Sequence, residues 1–540
     1  MRRSLRGVVL AVAVIVVAAL ASTTQAALRW SDSERIGGTG WFDQVQMDAR
    51  GNAFAIWDRE TADQRSSVEY SWRPAGGRWS TPAVLAVTKH AGRWDVAMSP
   101  YGRVTLLWAD GSDRVLAAEA PKPLAPFGKP QVLAATDAGS PVLAVDDEGN
   151  GVAAWIRLVR YGSTGNVYYA QTLFRAERRA GMPWGTAEAV AEEPLQPEIA
   201  MNPSGAAVLA WGFGGNELRA SYRPPGGQFG PPETPPVPGF FPTIALSDSG
   251  HVIMTGGNPV PEIDVPFAVR DPVRGWDGPV GLGVKGWATH TLAEPSGAAS
   301  FVLDVEEEGR ERSHAFATRL PNGTVLGPMP LAGTDTYVCA PAMNRRGDLL
   351  IPMAPRERSP DSRIFASERL AGSALLPATA ITKPGQASCG ASALNDAGQA
   401  VVILHSTEFG PLHAVVREDP TLAPPPLPPA VDIEPPSAGV LDENGALRVA
   451  VRCSSACKVG SKGVLYSPGE DVVRRGRGSS KRLKARRRGR VALRFDAATA
   501  ATVRDALADG RRPWVSFSVT AKGKSPRAVT VSRRVKLGRK

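Results

Sequence analysis

The chain has 540 residues, a formal net charge of +11, 43% apolar and 21% charged residues. Its 56 glycines and 47 prolines make up 19% of the sequence, against roughly 12% in average proteins. These proportions favour turn-rich β structure and exclude a coiled coil, a polytopic membrane protein and a wholly disordered chain.

Arg2, Arg3 and Arg6 precede an apolar run from Val8 to Ala21, and the small, polar stretch STTQAA follows. This is the pattern of a secretory signal cleaved after Ala26. The alternative, an uncleaved anchor, needs about 20 apolar residues to span a bilayer, and this run has 14. The mature protein is therefore expected outside the cytoplasm, secreted or at the cell surface.

Next comes a phrase that recurs eight times, beginning with MDARGNAFAIW (47–57), MSPYGRVTLLW (98–108), VDDEGNGVAAW (145–155) and MNPSGAAVLAW (201–211). Its glycines are Gly51, Gly102, Gly149, Gly205, Gly250, Gly297, Gly347 and Gly398. Three residues before each stands Asp48, Ser99, Asp146, Asn202, Ser247, Glu294, Asn344 or Asn395. Most of these side chains bond their own backbone in turns, while the glycine supplies a left-handed position, so each phrase predicts a tight β-hairpin. The residues after each glycine are apolar on both alternating faces, which predicts a strand covered on both sides. A further strand commonly ends in arginine (Arg73, Arg223, Arg270, Arg319, Arg369, Arg417), and another has an aromatic followed by proline, as in WSTPAVL (79–85).

Four strands per period of about fifty residues predict a β-propeller. Residues 30–36 look like a fourth strand with no predecessors, and the eighth unit ends after LHAVVRED (412–419) without its own fourth strand. The expected fold is all-β, an eight-bladed β-propeller (27–419) closed by its N-terminal strand, then a Pro-rich linker (420–436) and a small β-sandwich (437–540). Residues 28–420 resemble the secreted bacterial β-propeller repeat proteins through their D-x-x-G-x-A-x-x-x-W phrases. They are only loosely similar to Asp-box and WD propellers, and the tryptophan is replaced in the last four units by Gly256, Leu303, Met353 and Leu404. The resemblance implies an architecture and no activity.

Cys339 and Cys389 hold nearly matching places in the seventh and eighth units, so a disulfide between them is expected, with two buried thiols as the alternative. Cys453 and Cys457 can clip a turn of the tail. The tail has four β-like stretches and one short helix near Thr502–Leu507, and it is similar to immunoglobulin-like sandwich modules of bacterial surface proteins.

Charge is divided unequally. Residues 432–540 hold 26 Lys and Arg against 9 Asp and Glu, a net +17, which leaves −9 for the mature chain before them. The densest run contains Arg474, Arg475, Arg477, Lys481, Arg482, Lys484, Arg486, Arg487 and Arg488, expected as a solvated basic loop. Outside the cytoplasm it would meet anionic wall polymers or lipid headgroups; without interleaved aromatics it does not read as a nucleic-acid site.

In a propeller the hairpin turns share one face, and longer, variable loops share the other, where recognition usually sits. Aromatics just ahead of the inner strands, Trp41, Phe42, Trp94, Phe241, Trp287 and Tyr337, are expected near the channel mouth. There they could stack on sugar rings or grip a peptide, or simply plug the opening. Trp57, Trp108, Trp155 and Trp211 read as packing residues. Asp43, Asp95 and Glu198 are acidic candidates without a reason to pair, and the recurring arginines end strands away from the axis. No catalytic residue, metal set or cofactor site is predicted. The expected function is an exported binding scaffold for an extracellular glycan or protein. The alternatives are a glycoside hydrolase or sialidase-like enzyme, and a purely structural surface component.

Overall fold

The computed structural model describes residues 29–538 apart from 62–64, 89–91, 162–167, 258–263, 306–312, 332–335, 358, 360, 387, 407–409, 419–430, 435–439, 454–455, 467–473, 486 and 523–527. The expected signal and most of the Pro-rich linker thus lie outside the described residues. The described chain is nearly all β, with one helix. Its architecture is that of a β-propeller followed by a separate β tail.

The first unit sets the pattern: Trp41–Met47, Ala53–Glu60, Ser66–Arg73 and Ala83–Thr88 form one antiparallel sheet in chain order. The hairpin between its first two strands works as the sequence predicts. Asp48 Oδ1 accepts the N–H groups of Arg50 and Asn52 at 2.8 and 2.9 Å, and Gly51 has φ +87°. Asn202, Asn344 and Asn395 accept equivalent backbone bonds in their turns.

The four-strand pattern is modified in the fourth unit and where the fifth meets the sixth. In the fourth, the segment PPETPPVP (231–238) provides only isolated bridges, Ala220 with Glu233 and Glu217 with Pro238. Its five prolines lack the N–H groups a ladder needs. Between the fifth and sixth, Gly275–Ala293 is one continuous 19-residue strand serving both. Asp264 Oδ1 accepts the N–H groups of Gly283 and Val284 at its midpoint, at 2.7 and 3.1 Å.

The second strands are apolar on both faces because each sheet is sandwiched between two others. Phe54 and Ile56 pack with Trp94 and Leu106; Leu107 with Trp155; Ala154 with Leu209 and Trp211; Val208 with Ile244 and Met254. The succession continues through Ile253 with Phe301, Val302 with Ile351 and Met353, and Leu350 with Val402 and Leu404. Trp57 of the first sheet then packs with Val401, Ile403 and Leu412 of the last. Trp57, Trp155 and Trp211 are at most 1% exposed, and Trp108 is 4% exposed.

Arg29–Trp30 and Glu34–Thr39 pair antiparallel with Pro411–Glu418, Trp30 opposite Arg417 and Glu34 opposite Ala414. The glycines of this segment have a steric purpose: a Cβ on Gly37 or Gly40 would come within 2.7 or 2.6 Å of the Trp57 indole. Cys339 and Cys389 form a disulfide between neighbouring units with a Cα separation of 5.8 Å, and Cys453 joins Cys457 at 6.5 Å.

In the tail, Val431–Glu434, Ala446–Cys453, Arg488–Arg494, Arg474–Gly478, Cys457–Tyr466, Trp514–Lys522 and Ala528–Lys536 lie in that spatial order, with Ser480–Leu483 also on Cys457–Tyr466. The sheet therefore begins inside the segment expected as linker. The first and last of these strands touch, so the sheet curls around one core containing Val449, Val491, Phe517 and Val519. The expected helix near 502–507 is longer, Ala497–Ala508, because Asp496 caps it, accepting the Thr499 N–H at 2.7 Å. The basic run, expected as a loop, is largely strand: alternation of basic with buried residues such as Leu483, Gly489 and Val491 fits one wet and one dry face.

Trp57→Ala should destabilise the propeller by about 3–5 kcal/mol, read as a lowered denaturant midpoint. An unchanged midpoint would mean that the indole does not join the two sheets.

Candidate functional site

Neighbouring inner strands touch from the first unit to the sixth, and from the seventh through the eighth to the first, and the residue seven places before the turn glycine faces the axis. Gln44, Asp95, Glu198 and His290 occupy this place, all partly accessible. The inner strands are sheet edges, so N–H groups on their open side lack ladder partners, and carboxylates take several of them up. Asp95 Oδ2 accepts the Leu143 N–H at 2.7 Å from the next inner strand, and Oδ1 accepts the Gln44 amide at 3.3 Å from the previous one. Asp43, one place earlier, accepts the Ala391 N–H at 2.6 Å and lies 2.7 Å from His405 Nε2. Glu198 accepts the Ile244 N–H.

Burial raises Asp95 to about 6 and Glu198 to about 8, the charge of Asp95 adding to the shift of Glu198. Burial lowers His290 to about 4, so its ring is neutral at pH 7. Asp95 and Glu198 are therefore electrostatically linked, although they are 103 residues apart. Sequence reasoning missed the link. The signal that could have found it is their identical offset from Gly102 and Gly205.

At the hairpin end of the channel, the residue four before the glycine lines the opening. Met47, Met98, Met201 and Met343 border adjoining cavities of 350 and 150 Å³. Arg345 of the seventh turn donates to Asp147 of the third at 2.7 Å across this opening.

The predicted aromatics divide. Trp41 and Trp287 are half-buried at the starts of their inner-strand segments, opposite Asp58 and Asp304. Phe42 lies in the same strand as Trp41, its side chain outside the description. Phe241 is 42% exposed, its ring 6.4 Å from that of Phe240. Tyr337 is half-buried, and its hydroxyl bonds Ser388. Trp94 is a correction: it is 5% exposed, packs among Phe54, Ile56 and Leu106, and donates its indole N–H to Asp58 at 2.8 Å. Its offset explains the difference. Trp94 stands eight before its glycine, next to axial Asp95, so strand alternation points it between sheets; the others stand nine or ten before.

On the variable-loop face, a 260 Å³ groove lies between the second and third sheets, lined by Arg93, Asp113, Asp137, Ser140, Leu158 and Gln171 among others. Arg93 is held by Asp113 and by the Ala138 carbonyl at 2.7 Å, and it passes over Gly139, where a Cβ would come within 2.2 Å of its guanidinium. Asp113, Asp137 and Ser140 all have left-handed backbone, φ 56°, 54° and 50°. Such conformations in non-glycine residues concentrate at functional sites. The groove's outer wall is the long hairpin Gly151–Tyr161 with Tyr168–Arg178, which leaves Leu158 45% exposed.

The recurring arginines serve the scaffold. Arg178 pairs with Glu119 at 2.8 Å, Arg223 with Glu177 at 2.7 Å and Arg270 with Glu233 at 2.7 Å; Arg73, Arg369 and Arg417 pair with Glu418, Glu294 and Glu368. Five join their sheet to a residue of the preceding unit, Arg73 joins the first sheet to the last, and none converges on a common substrate position. Among the described residues, no group of three or more His, Cys, Asp and Glu is placed to hold a metal ion.

In the tail, Arg475, Arg477, Lys481, Arg482, Lys484, Arg487 and Arg488 are exposed. Arg474 lies in a strand with its side chain outside the description, and Arg486 lies outside the described residues.

No protein-family model matches the chain, and no curated protein matches it. Solved structures that it resembles include the β-propeller domain of the trilobed protease from Pyrococcus furiosus, with 10% identity, 66% of this chain and 99% of that one covered, and a TM-score of 0.38. A PL25 ulvan lyase, a polysaccharide lyase, gives 8%, 72%, 95% and 0.38, and YCF48 bound to D1 peptide gives 10%, 72%, 96% and 0.35. Likenesses of this size bring no substrate, ligand or catalytic set to this chain.

The raised acid in the channel fixes a pH dependence. Glu198 holds its proton more tightly folded, at about 8, than at its ordinary 4.5, so stability falls as pH rises through that window and levels off above it. Glu198→Gln should flatten the fall, raising the thermal midpoint at pH 9 and leaving it nearly unchanged at pH 5. Equal midpoint shifts at both pH values would contradict the assignment.

Proposed function

We propose that this chain is exported and acts as a non-catalytic binding scaffold. In this reading residues 27–419 are an eight-bladed ring whose last blade is completed by the N-terminal strands, and the tail is an immunoglobulin-like module that contacts anionic surface. The ring recognises an extracellular glycan or protein through its variable-loop face.

The observation that carries the reading is the groove between the second and third sheets. It combines the paired Arg93 and Asp113 and the amide of Gln171 with the exposed apolar wall of Leu158. Such a mixture suits a sugar ring or a peptide side chain, each of which offers both an apolar face and hydrogen-bonding groups. Leu195 and Phe241, 37% and 42% exposed at the starts of the next inner strands, extend apolar surface along the same face.

A glycosidase is the second reading, favoured by the linked carboxylates Asp95 and Glu198. Glycosidases need two carboxyl groups flanking a substrate bond. Here backbone N–H groups of neighbouring inner strands occupy both, which supports a structural duty for the pair and places this reading second.

Screening the protein against oligosaccharide and peptide libraries tests the proposal. A ligand found there should bind the combined Leu158→Asp and Gln171→Ala variant at least tenfold more weakly, a loss of about 1.4 kcal/mol, while Glu148→Gln on the hairpin face binds as wild type. Binding unaffected by the groove variant would contradict the site. Turnover of a library sugar that disappears in Glu198→Gln would favour the hydrolase.

A further inference from the structure

The tail's positive charge is arranged as well as abundant. In Ala446–Cys453 the side chains of Leu447, Val449 and Val451 are buried, while Arg448 and Arg452 are exposed. In Arg488–Arg494, Val491 and Leu493 point in, and Arg488, Arg490 and Arg494 point out. Lys458 and Lys462 alternate in the same way with buried Val459 and Ser461. The pleat therefore places these cations on the outer face of the sheet.

Strand register then sets cation against cation. Lys458 lies directly opposite both Arg482 and Lys522, a row crossing three strands. Arg477 lies opposite Arg494, and Arg452 opposite Arg488. The rows unite residues far apart in sequence, so the dense run 474–490 is only part of the surface. Like charges directly opposite destabilise a sheet. Among the described residues, no ion pair involves Lys458, Arg477, Arg482, Arg494 or Lys522.

We propose that this outer face binds a linear phosphate polyanion, whose closely spaced charges follow the rows. Arginine dominates the face, and its planar fork matches phosphate oxygens. The sheet curls until its first and last strands touch, so a flat bilayer meets only its crest, whereas a linear chain can follow a row. No large apolar side chain in the described tail is exposed to enter a membrane. The inference rests on the reading that the tail contacts anionic material, and it names the chemistry and shape of the partner.

The test uses the full chain with three probes: long-chain inorganic polyphosphate, tripolyphosphate, and phosphatidylglycerol vesicles. Long polyphosphate should bind at least a hundredfold more tightly per chain than tripolyphosphate, weaken steeply with added salt, and raise the unfolding temperature of the protein. The triple variant Lys458→Gln, Arg482→Gln, Arg494→Gln should bind at least tenfold more weakly, with a shallower salt dependence. Without any ligand it should melt at a higher temperature than wild type, because the opposed charges are gone. A variant that binds polyphosphate as wild type does, or equal affinity for long and short chains, would overturn the proposal. Vesicle binding without polyphosphate binding would overturn the linear-polymer inference and leave the broader anionic contact standing; binding to neither would remove both.

Discussion

A sheet of three or four short strands with apolar residues on both faces cannot stand alone in water, and this single constraint organises the propeller. Ala53, Phe54, Ala55, Ile56 and Trp57 are all at most 1% exposed, which requires a partner on each side. Every unit inherits the same requirement from the same phrase, so each sheet's core is completed by its neighbours. A linear row of such sheets would leave one apolar face bare at each end. Here the first sheet instead packs on the last through Trp57, whose indole also rests against Gly37 and Gly40 of the segment preceding the first sheet.

Polar groups follow the same plan at smaller scale. Six arginines at the ends of third strands cross to acids of a neighbouring sheet, and axial carboxylates accept N–H groups of neighbouring inner strands. Buried ion pairs are weak evidence for stability, because desolvation offsets their attraction, but breaking one by removing a partner is costly. They fix how neighbouring sheets sit against each other, whereas the apolar clusters supply the driving force. The same engagement reaches the titratable groups: the recurring arginines pair with acids of neighbouring sheets, and Asp95 and Glu198 accept backbone N–H groups of neighbouring inner strands.

The β-propeller architecture was legible because its signals are local. A turn glycine and its partner three residues earlier identify a hairpin, and an apolar run identifies a strand covered on both faces. Three features were not legible, each for a physical reason. Trp94 was expected at the mouth because sequence proximity to the inner strand does not reveal which face of the strand a side chain takes. Asp95 and Glu198 looked unrelated because the fold, not the sequence, brings equivalent offsets to one axis. The basic run looked like a loop because its charge hides an alternation with Leu483, Gly489 and Val491 that a sheet with one wet face accommodates. The groove beneath the hairpin Gly151–Tyr161 is a product of three loops, and no single motif announces it.

The pairing of residues 29–39 with Pro411–Glu418 is the central claim, and native-state hydrogen exchange on the protein lacking residues 1–40 tests it most directly. The account predicts that amides of Pro411–Glu418 which bond to Arg29–Trp30 and Glu34–Thr39 lose their protection, and that protection around Trp57 and Val401–His405 falls with them. Exchange in these segments as slow as in the full chain would contradict it.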